Sequence, residues 1–85
     1  MYEFTLAAEV IAAISDLPLP ALAPLAEALL VVQTTPWSGD PQHQGNPGGA
    51  VRRLLFGPGG AGQLVYVILE SARRVEVLRV VWLDP

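Results

Sequence analysis

The residues Leu64-Val65-Tyr66-Val67-Ile68-Leu69 form an unbroken apolar run within a chain of 85 residues. A run this short, rich in β-branched and aromatic types and bounded by glycines on one side, reads as a strand and not as a helix. Because every position is apolar, the pattern predicts a strand at the centre of a sheet, covered on both faces. The remaining residues must then supply strand neighbours on either side and at least one covering layer.

The neighbours are legible. Residues 50–56 and 74–82 are rich in Val, Leu and aromatic types. The first joins the central strand, residues 63–70, through the glycine-rich 57–62. The second follows the short turn 71–73. Residues 2–6 alternate polar with apolar and predict a first strand that pairs beside a later one. The cover comes from residues 7–17, where Val10, Ile11, Ile14 and Leu17 fall at helical spacing, and from about 20 to 32, where Leu22, Leu25, Ala26, Leu29 and Leu30 do the same. Pro18 ends the first helix, and Pro20 and Pro24 fall in the first turn of the second. The predicted order is β-α-α-β-β-β. It describes one α+β domain in which a helical hairpin packs on a mainly antiparallel four-stranded sheet. Residues 33–50, with three prolines and four glycines in 36–49, read as one long loop.

Composition removes several function classes. An apolar fraction of 52% with 15% charged residues excludes intrinsic disorder. With no cysteine, neither a disulfide framework nor a thiolate metal site can form. No apolar run is long enough to span a membrane. The first 30 residues carry four acids and no Lys or Arg, unlike a secretory signal, so a cytoplasmic protein is expected.

The net charge of −3 is unlike that of a general nucleic-acid binder. The charges are nevertheless polarised. Residues 1–50 hold five acids and no arginine, while 51–85 hold five arginines against three acids.

This element order, the segment Gly62-Gln63-Leu64-Val65-Tyr66-Val67-Ile68-Leu69-Glu70 and the final Arg74-Val75-Glu76-Val77-Leu78-Arg79-Val80-Val81-Trp82 are similar to the sheet of the RelE/ParE superfamily, the small toxins of type II toxin-antitoxin modules. The resemblance implies a bacterial growth-inhibiting toxin held by a cognate antitoxin. For the RNA-cleaving branch it implies ribosome-dependent mRNA cleavage by an endoribonuclease that uses no metal or other cofactor. Basic side chains on the sheet would hold phosphates, stabilise charge and activate the 2′-hydroxyl. Arg52 matches a basic position of the second strand. Gln63 stands where the family carries Arg, and Trp82 and Leu83 stand where basic residues or His follow the last strand. The sequence stops at Pro85 without the Tyr-bearing tail of many members. The gyrase-directed branch of the superfamily needs less of this set. A degenerate toxin that acts by protein binding, and an unrelated self-associating α+β module, stay open beside it.

On this reading Arg52, Arg53 and Arg79 are the catalytic candidates, and Arg73, Arg74, Tyr66 and His43 are the RNA contacts. Strand alternation puts Val51, Arg53 and Leu55 on one face and Arg52, Leu54 and Phe56 on the other. It also groups Arg79 with Val75, Val77 and Val81. The competing assignment for the paired arginines is a structural salt bridge to Glu27, Glu70 or Glu76. His43 could act as a base near neutral pH or be a solvated loop residue. Tyr66 could stack on a base or serve as core with its hydroxyl at an edge. Trp37 and Trp82 could mark an interface or cap the core. The glycine-rich 57–62 lacks the Lys-Ser/Thr of a phosphate loop. Only Glu9, Asp16 and Glu27 are charged between residues 7 and 32. The helices therefore lack a polar outer stripe and are expected to face an antitoxin segment or a second copy of the chain.

Overall fold

The computed structural model describes residues 1–41 and 48–83. Strand β1 spans Glu3–Leu6, helix α1 Ala8–Ser15 and helix α2 Leu19–Thr34. Strand β2 spans Asp40–Pro41, β3 Val51–Phe56, β4 Gly62–Leu69 and β5 Arg74–Trp82. The strands form one sheet in the order β1-β5-β4-β3-β2. β1 runs parallel to β5, and every other neighbouring pair is antiparallel.

The α+β class and the helical hairpin are as the sequence predicts, but the sheet has five strands where the pattern predicts four. The additional strand is only two residues long and lies within the predicted loop. Such a stub has no periodicity for a sequence to show. The same segment also holds the last turn of α2 and a 3-10 turn at Pro36–Ser38. Here the threonines extend the helix: the Thr34 hydroxyl donates to the Leu30 carbonyl at 2.9 Å and that of Thr35 to Val31 at 3.2 Å.

Prolines set the helical hairpin. Pro18 holds the extended conformation (φ −66°, ψ 153°) that caps α2, and Pro20 occupies its first turn. Pro24 lies a turn further in than expected, so the carbonyl of the exposed Pro20 loses its intrahelical donor. Val10, Leu25 and Val32 of the helices pack on Leu64, Tyr66 and Ile68 of β4 and on Val75 and Val77 of β5.

β4 is central, as predicted, but the helices cover only one of its faces. Gln63, Val65 and Val67 turn to the other side, where no layer lies over them among the described residues. The run is apolar throughout because β3 and β5 flank it on both sides and shield even the uncovered residues, so that Val65 is only 8% exposed.

One irregularity sets what that open face carries. Tyr66 pairs with Val77, yet the preceding Val65 pairs with Arg79, so Leu78 is an extra residue in β5. This bulge reverses the alternation from that point on. Val75 and Val77 face the helices, and after the bulge so does Val80. Arg79 therefore does not share a face with Val75 and Val77 as simple alternation predicts. It shares the open face with Val81.

The β3–β4 connection turns through Gly57 at φ 80°. A side chain there would be strained, and its Cβ would lie 2.8 Å from the Trp82 ring. Trp82 itself stacks obliquely on Phe56 at 6.0 Å and closes that end of the core.

Candidate anion-binding face

Register and the bulge align four residues across the open face. Asp40 of β2 pairs with Arg53 of β3, Arg53 with Val65 of β4, and Val65 with Arg79 of β5. Arg53 and Arg79 therefore flank Val65 at two strand spacings, roughly 10 Å between their backbones. Beside Arg79 a hollow of about 510 Å³ is lined by Gln63, Val65, Arg79 and Val81, among others. Among the described residues the one ion pair is Arg73 with Glu70, so Arg53 and Arg79 are not consumed by internal carboxylates. Arginines set on either side of an apolar residue supply planar, permanently charged donors of the kind that bind phosphate oxygens.

Arg52 is not on this face. It pairs with Tyr66 on the covered side and is 8% exposed. Its Nε donates to the Gly49 carbonyl at 3.0 Å and its Nη1 to the Gly39 carbonyl at 3.0 Å. The guanidinium also lies 5.0 Å from the centre of the Trp37 ring. A buried charge must be paired or hydrogen-bonded, and here carbonyls do what the predicted acids do not. Arg52 holds the backbone at Gly39 and at Gly49, which is a structural task, and it faces away from the open side.

Tyr66 is also withdrawn from any base. Its ring is 1% exposed under the helices, and its hydroxyl donates to the Pro36 carbonyl at 2.6 Å. Burial pushes this phenol above its ordinary value, with Arg52 pulling the other way.

Arg73 occupies the left-handed region at φ 51° in the β4–β5 turn. Its Nη1 meets Glu70 Oε2 at 3.0 Å and the Tyr2 hydroxyl at 3.1 Å, and its guanidinium lies 4.2 Å from the Tyr2 ring centre. Arg74 is exposed at the start of β5 beside Glu3, at the far end of the sheet from Arg79. His43 lies outside the described residues. The sheet thus brings together two of the arginines, Arg53 and Arg79, and separates the other three from them.

Sequence reasoning missed a second polar centre. Glu70 Oε1 accepts from the Tyr2 hydroxyl at 2.6 Å and from Trp37 Nε1 at 2.8 Å, while Arg73 holds Oε2. Hydrogen bonds from Tyr2 and then Trp37 pull the Glu70 carboxyl below its ordinary range, aided by Arg73. The same hydrogen bond to Glu70 raises the Tyr2 phenol. Glu70 therefore pairs with Arg73 and not with Arg52 or Arg53. The partners are 3 to 68 positions away, and nothing in the local pattern marks them.

The helices have the apolar exterior that their composition predicts: Ile11, Leu19, Leu22 and Leu30 are all exposed. Between α2 and β3 runs a groove of about 470 Å³ lined by Ala28, Val31, Leu54 and Phe56, with Glu27 at its rim. Among the described residues no helix is long and apolar enough to cross a membrane.

No protein-family model and no curated protein matches the sequence. Solved structures do match. The isolated E. coli RelE toxin superposes with a TM-score of 0.79 at 14% identity, over the whole of this chain and 87% of that one. A chain of the intact E. coli RelBE toxin-antitoxin complex superposes with a TM-score of 0.78 at 15% identity, over the whole of both chains. Two helices on one face of a mixed sheet, an open opposite face and full-length superposition together establish that this chain has the RelE fold.

Proposed function

We propose that the protein is the toxin of a toxin-antitoxin module and that its open sheet face binds and cleaves ribosome-bound mRNA. The observation that carries this reading is the placement of Arg53 and Arg79 on either side of Val65, outside any internal ion pair among the described residues. Arginine suits the task because its planar fork grips two phosphate oxygens and keeps its charge at every physiological pH. The two groups would hold the scissile phosphate and stabilise charge as it develops on the non-bridging oxygens. An antitoxin is the corresponding partner. The groove between α2 and β3 and the apolar helix exterior offer it a surface, as suits a fold found in the E. coli RelBE complex.

A protein-binding toxin without nuclease activity is the second reading. Gln63 favours it, since a neutral amide stands in the hollow where a third cation would help. Induction of the chain without an antitoxin separates the two. The nuclease reading expects growth arrest with mRNA cut at ribosome-bound sites. It also expects relief when Arg53 and Arg79 are both changed to Ala. Arrest with intact mRNA and accumulated DNA breaks would favour the protein-binding toxin.

A further inference from the structure

RNA cleavage through the 2′-hydroxyl needs a group that accepts a proton, and neither arginine can serve, since both stay charged. Tyr66 is buried beneath the helices. The described open face does offer carboxylates: Glu3 beside Arg74 at the far end, Glu76 in the row of Val51 and Val67, and Asp40. Only Asp40 shares the row of Arg53, Val65 and Arg79. Resting on the nuclease reading, we propose that Asp40 is the general base that accepts the 2′-hydroxyl proton.

Three observations on this chain carry the assignment. The first is register: Asp40 lies directly across from Arg53, one strand spacing away, on the side opposite Val65 and Arg79. Of the open-face carboxylates, Asp40 is thus the one paired directly across from an arginine of the row. The second is rigidity. The carbonyl of Gly39 is held by Arg52 at 3.0 Å, and that of Pro36 by Tyr66 at 2.6 Å. Gly39 is buried so tightly that a Cβ there would overlap the Tyr66 hydroxyl. Gly39 is fixed on the covered side, so the next residue is turned outward, and Asp40 is exposed. The two-residue strand and its buried arginine thus act as a bracket for one carboxylate. The third is availability: Asp40 makes no ion pair among the described residues, although Arg53 is its cross-strand partner. The charged and titratable groups around it are Arg53 and Arg52 of β3 and the Tyr66 hydroxyl of β4.

The step balances. The 2′-hydroxyl gives its proton to the Asp40 carboxylate as the 2′-oxygen bonds to phosphorus. The bond from phosphorus to the 5′-oxygen breaks, and the departing 5′-oxygen takes a proton from water. Asp40 then releases its proton to the hydroxide so formed. The products are a 2′,3′-cyclic phosphate and a 5′-hydroxyl.

The test is single-turnover cleavage of a defined mRNA bound to ribosomes, measured across pH with the full chain. Asp40→Asn is expected to slow cleavage by about 100-fold or more. It should also abolish the rise of rate with pH on the acid side and leave mRNA–ribosome affinity within about twofold. Asp40→Glu should restore part of the rate together with the acid limb. Retention of the wild-type rate or acid limb by D40N overturns the base assignment. So does loss of that limb in Glu76→Gln instead. If Arg53→Ala is still defective, the nuclease reading survives. Absence of cleavage by the wild-type chain removes both.

Discussion

The guanidinium of Arg52 donates to the backbone carbonyl of Gly39 at 3.0 Å, across thirteen positions of sequence and on the covered side of the sheet. The next residue, Arg53, points the opposite way. Two identical neighbours are thus divided between holding the scaffold and facing a ligand, purely by the two-residue period of the strand.

The first prediction concerns that division. Arg52→Ala removes charge-assisted hydrogen bonds to two carbonyls and the contact with Trp37. We expect a loss of about 2–4 kcal/mol, because the buried carbonyls are left without donors. Arg53 is half-buried beside Val65 but makes no ion pair among the described residues, so Arg53→Ala should cost less, about 1 kcal/mol or below. Urea denaturation of the two variants checks both values. Equal midpoints would contradict the assignment of Arg52 to structure.

A second prediction follows from Glu70. Its carboxyl titrates below the ordinary value because Tyr2, Trp37 and Arg73 bond to the charged form. A depressed folded-state value contributes stability that is complete above the unfolded value and lost as pH falls through the folded one. The stability difference between the parent and Glu70→Gln should therefore be constant above roughly pH 5 and shrink at more acid pH. Trp37 fluorescence in a Trp82→Phe background should change over the same acid range. A difference that is flat through the acid range would remove Glu70 from the clasp.

The bulge gives a third. Removing Leu78, an exposed residue, restores regular alternation in β5 and leaves Val77 and Val80 on the covered side with Arg79 outside. This deletion should fold cooperatively. Deleting Val67 from β4 offers no such escape, since it shifts one half of a central strand against both neighbours. Calorimetric transitions of the two deletions test the contrast. A non-cooperative transition for the Leu78 deletion would show that the bulge itself is required.

Much of the fold was legible because it rests on periodicity. The run 64–69, the helical spacing of Val10, Ile14 and Leu25, and the prolines that bracket α2 each report a local preference that the tertiary structure keeps. Alternation alone separates Arg53 from Arg52 without saying which of them turns to the helices. It fails for Arg79, because a bulge adds a residue without changing any residue type. The burial of Arg52 is hidden for another reason: the groups that hold it include backbone carbonyls, which every residue has and which no composition reveals. The placement of Asp40 is hidden in the same way, since it depends on how Gly39 is held from a distant strand. What stayed hidden was long-range and backbone-mediated, as in the Glu70 clasp, whose hydroxyl donor is the second residue of the chain.

The parallel pairing of β1 with β5 has a consequence for how the chain is born. The first strand to leave the ribosome can bond only to the last, because β5 stands between it and every other strand. Until residues 74–82 have emerged, β4 lacks a neighbour on one side, and Arg79 has not joined Arg53. The open face with its two arginines is thus completed only after every other described strand has been made.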